Sequence, residues 1–282
     1  MTLPSLAVTG STGALGGLVA RDLADRGVPQ RLLVRSLDRA PRLHGAEPVT
    51  AAYGDPTASA TALAGVTTLL MVSASESATR LEEHRAFVDA AADAGVQHVV
   101  YTSFYGAAPD CTFTLGRDHW ATEEHIRSRG MGFTFLRDSF YLDFLPLTVG
   151  EDGVIRGPAG DGRVAAVARQ DVARVAVSVL LDPESHRGAT YDLTGPESLS
   201  FTDVARLVSE STGREVTFHD ESVEEAYASR LAWDAPQWQY DAWVSTYTAI
   251  RAGEVEAVTD DVRRVTGRAP IGLRDLLGTA TD

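Results

Sequence analysis

The feature that most restricts how this chain folds lies near its start. A short apolar run, Leu6, Ala7 and Val8, passes directly into Thr9, Gly10, Ser11, Thr12, Gly13, Ala14, Leu15 and Gly16. Leu15, Leu18, Val19, Asp22 and Leu23 then follow at helical spacing, and Gly27 is a stop signal. A strand, a tight glycine turn and a helix are thus written in sequence. Glycines at positions 10 and 13 allow the backbone to turn sharply and approach a diphosphate at the helix N-terminus. Gly16 allows the helix to pack closely on the sheet. The same spacing serves a strand-to-helix turn without a ligand, but the βαβ setting favours a bound dinucleotide.

Further short apolar runs continue the alternation. Strands are expected at Leu6 to Thr9, Arg31 to Val34, Val49 to Ala52, Thr68 to Val72, Val99 to Thr102 and Thr134 to Leu136. Helices are expected over Leu15 to Arg26, Leu81 to Ala94 and Arg117 to Arg129, the last two ended by Gly95 and Gly130. This order implies an α/β fold with a doubly wound parallel sheet of the Rossmann, NAD(P)-binding kind. After Pro146 the regularity breaks into a glycine-punctuated stretch. A helix from Gln170 to Leu181, a strand from Tyr191 to Thr194, a helix from Thr202 to Ser211 and an aromatic helical tail follow. Residues 1–145 are expected to form the dinucleotide-binding domain. Residues 146–282 are expected to form a smaller C-terminal α/β substrate lobe, partly interleaved with it.

Composition narrows the partners. The 282 residues carry 39 acidic and 25 basic side chains, a net charge of −14, which disfavours nucleic acid and anionic membrane surfaces. The single Cys111 offers neither an intrachain disulfide nor a zinc cluster, and no metal site is expected. Without a secretion signal or a bilayer-length apolar run, the expected location is the cytoplasm. The expected partner is a small molecule, with a homodimer as an open possibility. No G-x-S-x-G elbow suggests a hydrolase.

The end of the second strand bears on the choice of cofactor. An NAD-selective site carries an acid there, whereas this chain has Arg35, with Arg39 behind it. A guanidinium suits the 2′-phosphate of NADP(H), unless Arg35 only pairs with Asp38 or faces solvent. Asp55, after Tyr53 and Gly54, either accepts from the adenine amine or simply forms a turn. All basic residues are arginine. The chain has no lysine, hence no Tyr-x-x-x-Lys proton-donating pair and no Schiff-base chemistry.

The chain resembles the NmrA-like group of atypical short-chain dehydrogenases, and within it the NADPH-dependent quinone oxidoreductase 2 type. The resemblance is carried by Thr9 to Gly16, Leu33 to Arg35, Tyr53 to Asp55, Leu69 to Glu76, Tyr101 to Ser103, His119 to His125 and Phe135 to Tyr141. Later stretches, Ala159 to Arg163, Tyr191 to Gly195 and Thr266 to Pro270, extend it nearly end to end. It implies NADPH binding through Gly10 to Leu15, Arg35, Ser73, Ala74 and Ser75, and the segment Asp138 to Asp143 with Phe140. Residues around Gly162 to Val167 complete the implied pocket. It also implies quinone reduction, although NmrA-like relatives include redox sensors that bind the dinucleotide without turnover.

By motif, the dehydrogenase Tyr position falls on His119 and the Lys position on Glu123. A ketone needs a proton as the alkoxide develops, whereas a quinone yields a hydroquinone anion that water can protonate. The missing pair therefore suits quinones and similar electrophiles. Three side chains are candidates for the chemistry. His119 is an acid supported by Glu123 one turn on, or half of an exposed ion pair on a helix face. Ser103 places a hydroxyl toward the substrate or only finishes a strand. Tyr141, with Phe104, Tyr105 and Phe140, lies where doubly wound sheets bind ligands, and could flank a quinone ring. The leading expectation is an NADPH-dependent reductase. The alternatives are an NADP(H)-sensing regulator, and a sugar-nucleotide epimerase or ketone reductase using His119.

Overall fold

Residues 3–279 are described in a computed structural model of the chain. They form two compact units, each assembled from three separate segments. The first takes residues up to Ser103, Asp118–Arg137 and Val172–Tyr191. The second takes Phe104–Arg117, Asp138–Asp171 and the chain from Asp192 onward.

A seven-stranded sheet dominates the first unit. Strand β1 (Leu6–Thr9) leads through the glycine turn into helix α1 (Ala14–Asp25) and strand β2 (Gln30–Val34). Strand β3 (Ala46–Thr50), helix α2 (Pro56–Leu63), strand β4 (Thr68–Met71) and helix α3 (Arg80–Asp93) follow. Strand β5 (His98–Phe104), helix α4 (Thr114–Ser128) and strand β6 (Gly132–Asp138) continue the alternation. Strands β7 (Val154–Gly157) and β8 (Arg163–Val164), helix α5 (Arg169–Leu181) and strand β9 (Thr190–Leu193) come next. The sheet order is β3-β2-β1-β4-β5-β6-β9, with β1 and β4 adjacent where the order reverses. The β2–β3, β1–β2, β1–β4 and β4–β5 pairings are all parallel. This is the doubly wound sheet that the alternation of elements predicts.

The strands inside the sheet are legible because both faces are covered. Every residue of β1, β2 and β5 is buried. Between the sheet and helices α2, α3 and α4, Leu63, Leu69, Met71, Phe87, Tyr101, Ile126 and Phe135 form one core. The third strand needs correction. It spans Ala46–Thr50 rather than Val49 to Ala52, pairing Gln30 with Ala46 and Val34 with Thr50. As the edge strand it is mostly solvated, so it needs no apolar run and tolerates Glu47 and Pro48.

In the second unit β7 pairs in parallel with β11 (Thr217–Asp220), and β8 pairs antiparallel with β10 (Leu199–Ser200). Helix α6 (Phe201–Thr212) begins at a capping box of Ser200 and Asp203 and ends at Gly213 in the left-handed region. Helices α7 (Val223–Arg230), α8 (Gln237–Arg251), α9 (Asp261–Thr266) and α10 (Leu273–Thr279) complete the tail. On α8, Tyr240 is buried and the Tyr247 ring lies 5.1 Å from that of Phe201, so this helix face packs a core. Arg263 and Arg264 pair with Asp260 and Asp261 on an exposed helix face.

Candidate cofactor site

At the carboxyl ends of β1 and β4, where strand order reverses, the first unit holds a cavity of about 620 Å³. A doubly wound sheet binds its ligand at this point. One wall is the glycine turn. Gly10 adopts φ +67° and its carbonyl accepts from the Gly13 amide at 2.9 Å. A Cβ on Gly10 would press on the Val72 side chain at 3.1 Å, and one on Gly16 would strike the Gly10 backbone and the Thr9 carbonyl. Gly13 caps α1 without any side chain, and the first turn of α1 carries no acid. The positive end of the helix is therefore left to an outside anion.

Of the residues expected to bind the cofactor, Gly10, Thr12, Gly13, Ala14, Leu15, Arg35, Ser73, Ala74 and Ser75 line this cavity. Arg35 is exposed and makes no ion pair among the described residues, Asp38 included. Ser11 is buried beside the turn, with a hydroxyl that has no hydrogen-bond partner among the described residues, and is not part of the lining. Asp55 caps α2, accepting from the Ala58 amide at 2.9 Å, and also lies off the lining. Asp138, Phe140 and Tyr141 belong to the second unit.

The cavity has further walls that sequence reasoning did not single out. Tyr53 donates to the Val72 carbonyl at 2.6 Å and contacts the Thr9 hydroxyl at 2.7 Å. The Val72 amide donates to that same hydroxyl at 2.8 Å. The Tyr53 ring also stacks on Phe87, with centroids 4.3 Å apart. These contacts tie the ends of β1 and β4 to the turn after β3, so the cavity is preformed. Glu76 and Glu83 add carboxylates to its lining.

The chemistry candidates sit differently. His119 is 8% exposed. Its Nε2 meets Arg80 Nη2 at 2.9 Å and its Nδ1 meets the Tyr101 hydroxyl at 3.0 Å. Burial, then Arg80, then His84 hold its pKa well below the ordinary histidine value. Both His119 and Glu123 are buried, so the expected exposed ion pair on a helix face is corrected. The Glu123 carboxylate is fully buried and accepts from the Ser103 hydroxyl at 2.5 Å. It also takes a two-pronged contact from Arg137 at 2.8 and 2.7 Å. The Ser103 proton is thereby committed to Glu123. In the second unit Tyr141 donates to Asp138 Oδ2 at 3.0 Å, with the Arg169 guanidinium 4.7 Å above its ring. Burial pushes the Asp138 carboxyl well above the usual aspartate range, partly offset by that hydrogen bond. Phe104, Phe113 and Phe140 cluster with centroids 4.7 to 5.1 Å apart.

Among the described residues no three His, Cys, Asp or Glu side chains gather as metal ligands, and no helix is long and apolar enough to cross a membrane.

Comparison with known proteins agrees with this geometry. The NmrA-like family profile matches residues 4–241. An NAD(P)H azoreductase of Xenophilus azovorans is 32% identical over 93% of this chain and 92% of its own length. The crystal structure of an NADPH-dependent quinone oxidoreductase from Escherichia coli, complexed with NADPH, superposes with a TM-score of 0.89. It shows 29% identity and covers 98% of this chain and all of the other. A Citrobacter sp. triphenylmethane reductase complexed with NADP(H) gives a TM-score of 0.87 at 33% identity, over 98% of this chain and 100% of that one.

Proposed function

The chain belongs to the NmrA-like family, and from that premise we propose that it is an NADPH-dependent oxidoreductase acting on a quinone or a comparable small electrophile. The observation that carries this reading is the cavity at the β1–β4 switch, walled by the Gly10–Gly16 turn and rimmed by Arg35, which makes no ion pair among the described residues. That cradle fits NADPH on its own terms. A glycine turn admits the diphosphate, an uncapped helix end faces it, and a guanidinium meets an extra phosphate. When bound, NADPH supplies the hydride. The protein's part is to hold the dinucleotide along the sheet edge and to orient it.

Proton donation is a minor part of this proposal. His119 has both ring nitrogens engaged and a lowered pKa, and Ser103 donates its hydroxyl hydrogen bond to Glu123. We therefore assign them to support rather than to proton transfer. A quinone accepts hydride to give a hydroquinone anion that water can protonate, in keeping with the quinone oxidoreductase relative.

The test is NADPH oxidation followed by absorbance with benzoquinone, an azo dye and a triphenylmethane dye. Turnover with at least one acceptor, abolished by omitting NADPH, is expected. Calorimetric binding of NADPH with no turnover on any of them would replace this reading with that of a dinucleotide sensor.

A further inference from the structure

A second polar cluster in the first unit lies beneath the cavity, on the loop from Val72 to Thr79. Both backbone polar groups of Ala74 are held by side chains of α3. The Ala74 amide donates to His84 Nε2 at 2.9 Å, and Arg80 Nε donates to the Ala74 carbonyl at 3.0 Å. The neighbouring Ser73 amide donates to Thr102 Oγ1 at 2.8 Å. The peptide planes on each side of Ala74 are therefore fixed, and Ser73, Ala74 and Ser75 all face the cavity.

The two clamps are buried: Arg80 is 3% exposed and His84 is not exposed at all. They occupy the same helix stripe as Phe87 and Ala91, where apolar side chains would pack without desolvation cost. Each is backed by α4. Arg80 reaches Asp118 at 3.3 Å and His119 Nε2 at 2.9 Å. His84 Nδ1 lies 3.0 Å from Thr122 Oγ1, and that hydroxyl donates to the Asp118 carbonyl at 2.7 Å. Donor logic fixes the tautomers. An amide and a guanidinium can only donate, so Nε2 accepts in both histidines and Nδ1 carries the proton. Both rings are thus neutral, in keeping with the pKa values that burial and Arg80 hold low.

We propose that Arg80 and His84 are positioning residues of the cofactor site, clamping Ala74 so that Ser73 and Ser75 meet the dinucleotide, with His119 as the rear post of Arg80. This rests on the reading of the cavity as an NADPH site. An apolar stripe would serve stability at least as well. The polar pair is explained by the loop that it holds.

The experiment measures the NADPH Kd by calorimetry, with kcat and Tm alongside, for wild type, His84→Leu, His84→Gln and Arg80→Met. Losing one clamp leaves a half-buried Ala74 backbone group unpaired and its peptide plane free to turn, so His84→Leu and Arg80→Met should raise the Kd by about tenfold. The kcat at saturating NADPH should stay within about twofold, because the chemistry is untouched. His84→Gln, whose Oε1 can still accept from the Ala74 amide, should restore the Kd to near wild type. A folded His84→Leu with wild-type Kd, or a Kd loss that His84→Gln does not rescue, overturns the proposal. Nitrogen NMR on the wild type gives a readout that does not depend on variant folding. The His84 ring should keep its proton on Nδ1 and shift on addition of NADPH, and no shift in a protein that binds NADPH overturns the clamp. A wild type that binds no NADPH defeats the cavity reading instead.

Discussion

Two arginines four positions apart illustrate how placement decides the work of one side chain. Arg31 is 1% exposed, its guanidinium donating to the carbonyls of Pro4 and Ala64 at 3.0 Å, and it is a structural strut. Arg35, one residue beyond the end of β2, is exposed on the cavity wall with no ion pair among the described residues. Arg35→Ala should therefore raise the NADPH Kd by about 10- to 100-fold and leave the NADH Kd within about twofold, as calorimetry would read. Equal losses for the two cofactors would show that Arg35 does not meet the 2′-phosphate. Three buried histidines make a second prediction. His84 and His119 are held well below their ordinary pKa, and His98 is lowered to about 4, chiefly by burial. Their unfolded forms bind protons more readily, so the stability they contribute is complete above about pH 6.5 and drains away as pH falls below it. Asp138, raised in the fold, acts in the opposite direction but is a single group. The Tm should fall by about 5 °C or more between pH 7 and pH 5, and a flat Tm would contradict the neutral-ring assignment.

At the scale of elements, the junction of β1 and α1 is set by contact between backbones. A Cβ on Gly16 has no room against Gly10 and Thr9, so Gly16→Ala must push α1 off the sheet. A loss of about 1–3 kcal/mol, or roughly 3–10 °C in Tm, is expected, together with weaker NADPH binding. Calorimetry and thermal melts would check both, and an unchanged Tm would mean that α1 has freedom to move. This junction was fully legible in the sequence because its logic is local: three glycines, one strand and one helix within a few residues. The buried strands were legible for a similar reason, since covering both faces makes them continuously apolar. Edge strand β3 was shifted, because a solvated edge imposes no hydrophobic pattern. The Ala74 clamp was not legible as a unit. Arg80 and His84 share a stripe with Phe87 that could have marked them as polar intruders on a buried face. Their partners His119, Thr122 and Thr102, however, come from remote elements and meet them only through the tertiary fold. The pairing of Glu123 with Ser103 and Arg137, in place of His119, was hidden for the same reason.

For the whole molecule, the segmentation of the two units matters most. Each unit draws on three stretches of chain, and the first is closed only by Val172–Tyr191, which carries most of α5 and the start of β9. A fragment of residues 1–145 would lack both, leaving β6 as an open sheet edge beside an uncovered face. Such a fragment is expected to show no cooperative melting transition and to aggregate, whereas the intact chain melts sharply. A monomeric, sharply melting fragment would show that those residues are dispensable.

The same threading bears on how the protein is made. As the chain leaves the ribosome, the glycine turn and β1 emerge well before the last strand of their sheet, which is translated only after residues that build the other unit. The nucleotide cradle is therefore begun long before the sheet that carries it is finished. Nascent chains stalled anywhere before β9 would rely on chaperones to keep that half-built sheet from pairing with its neighbours.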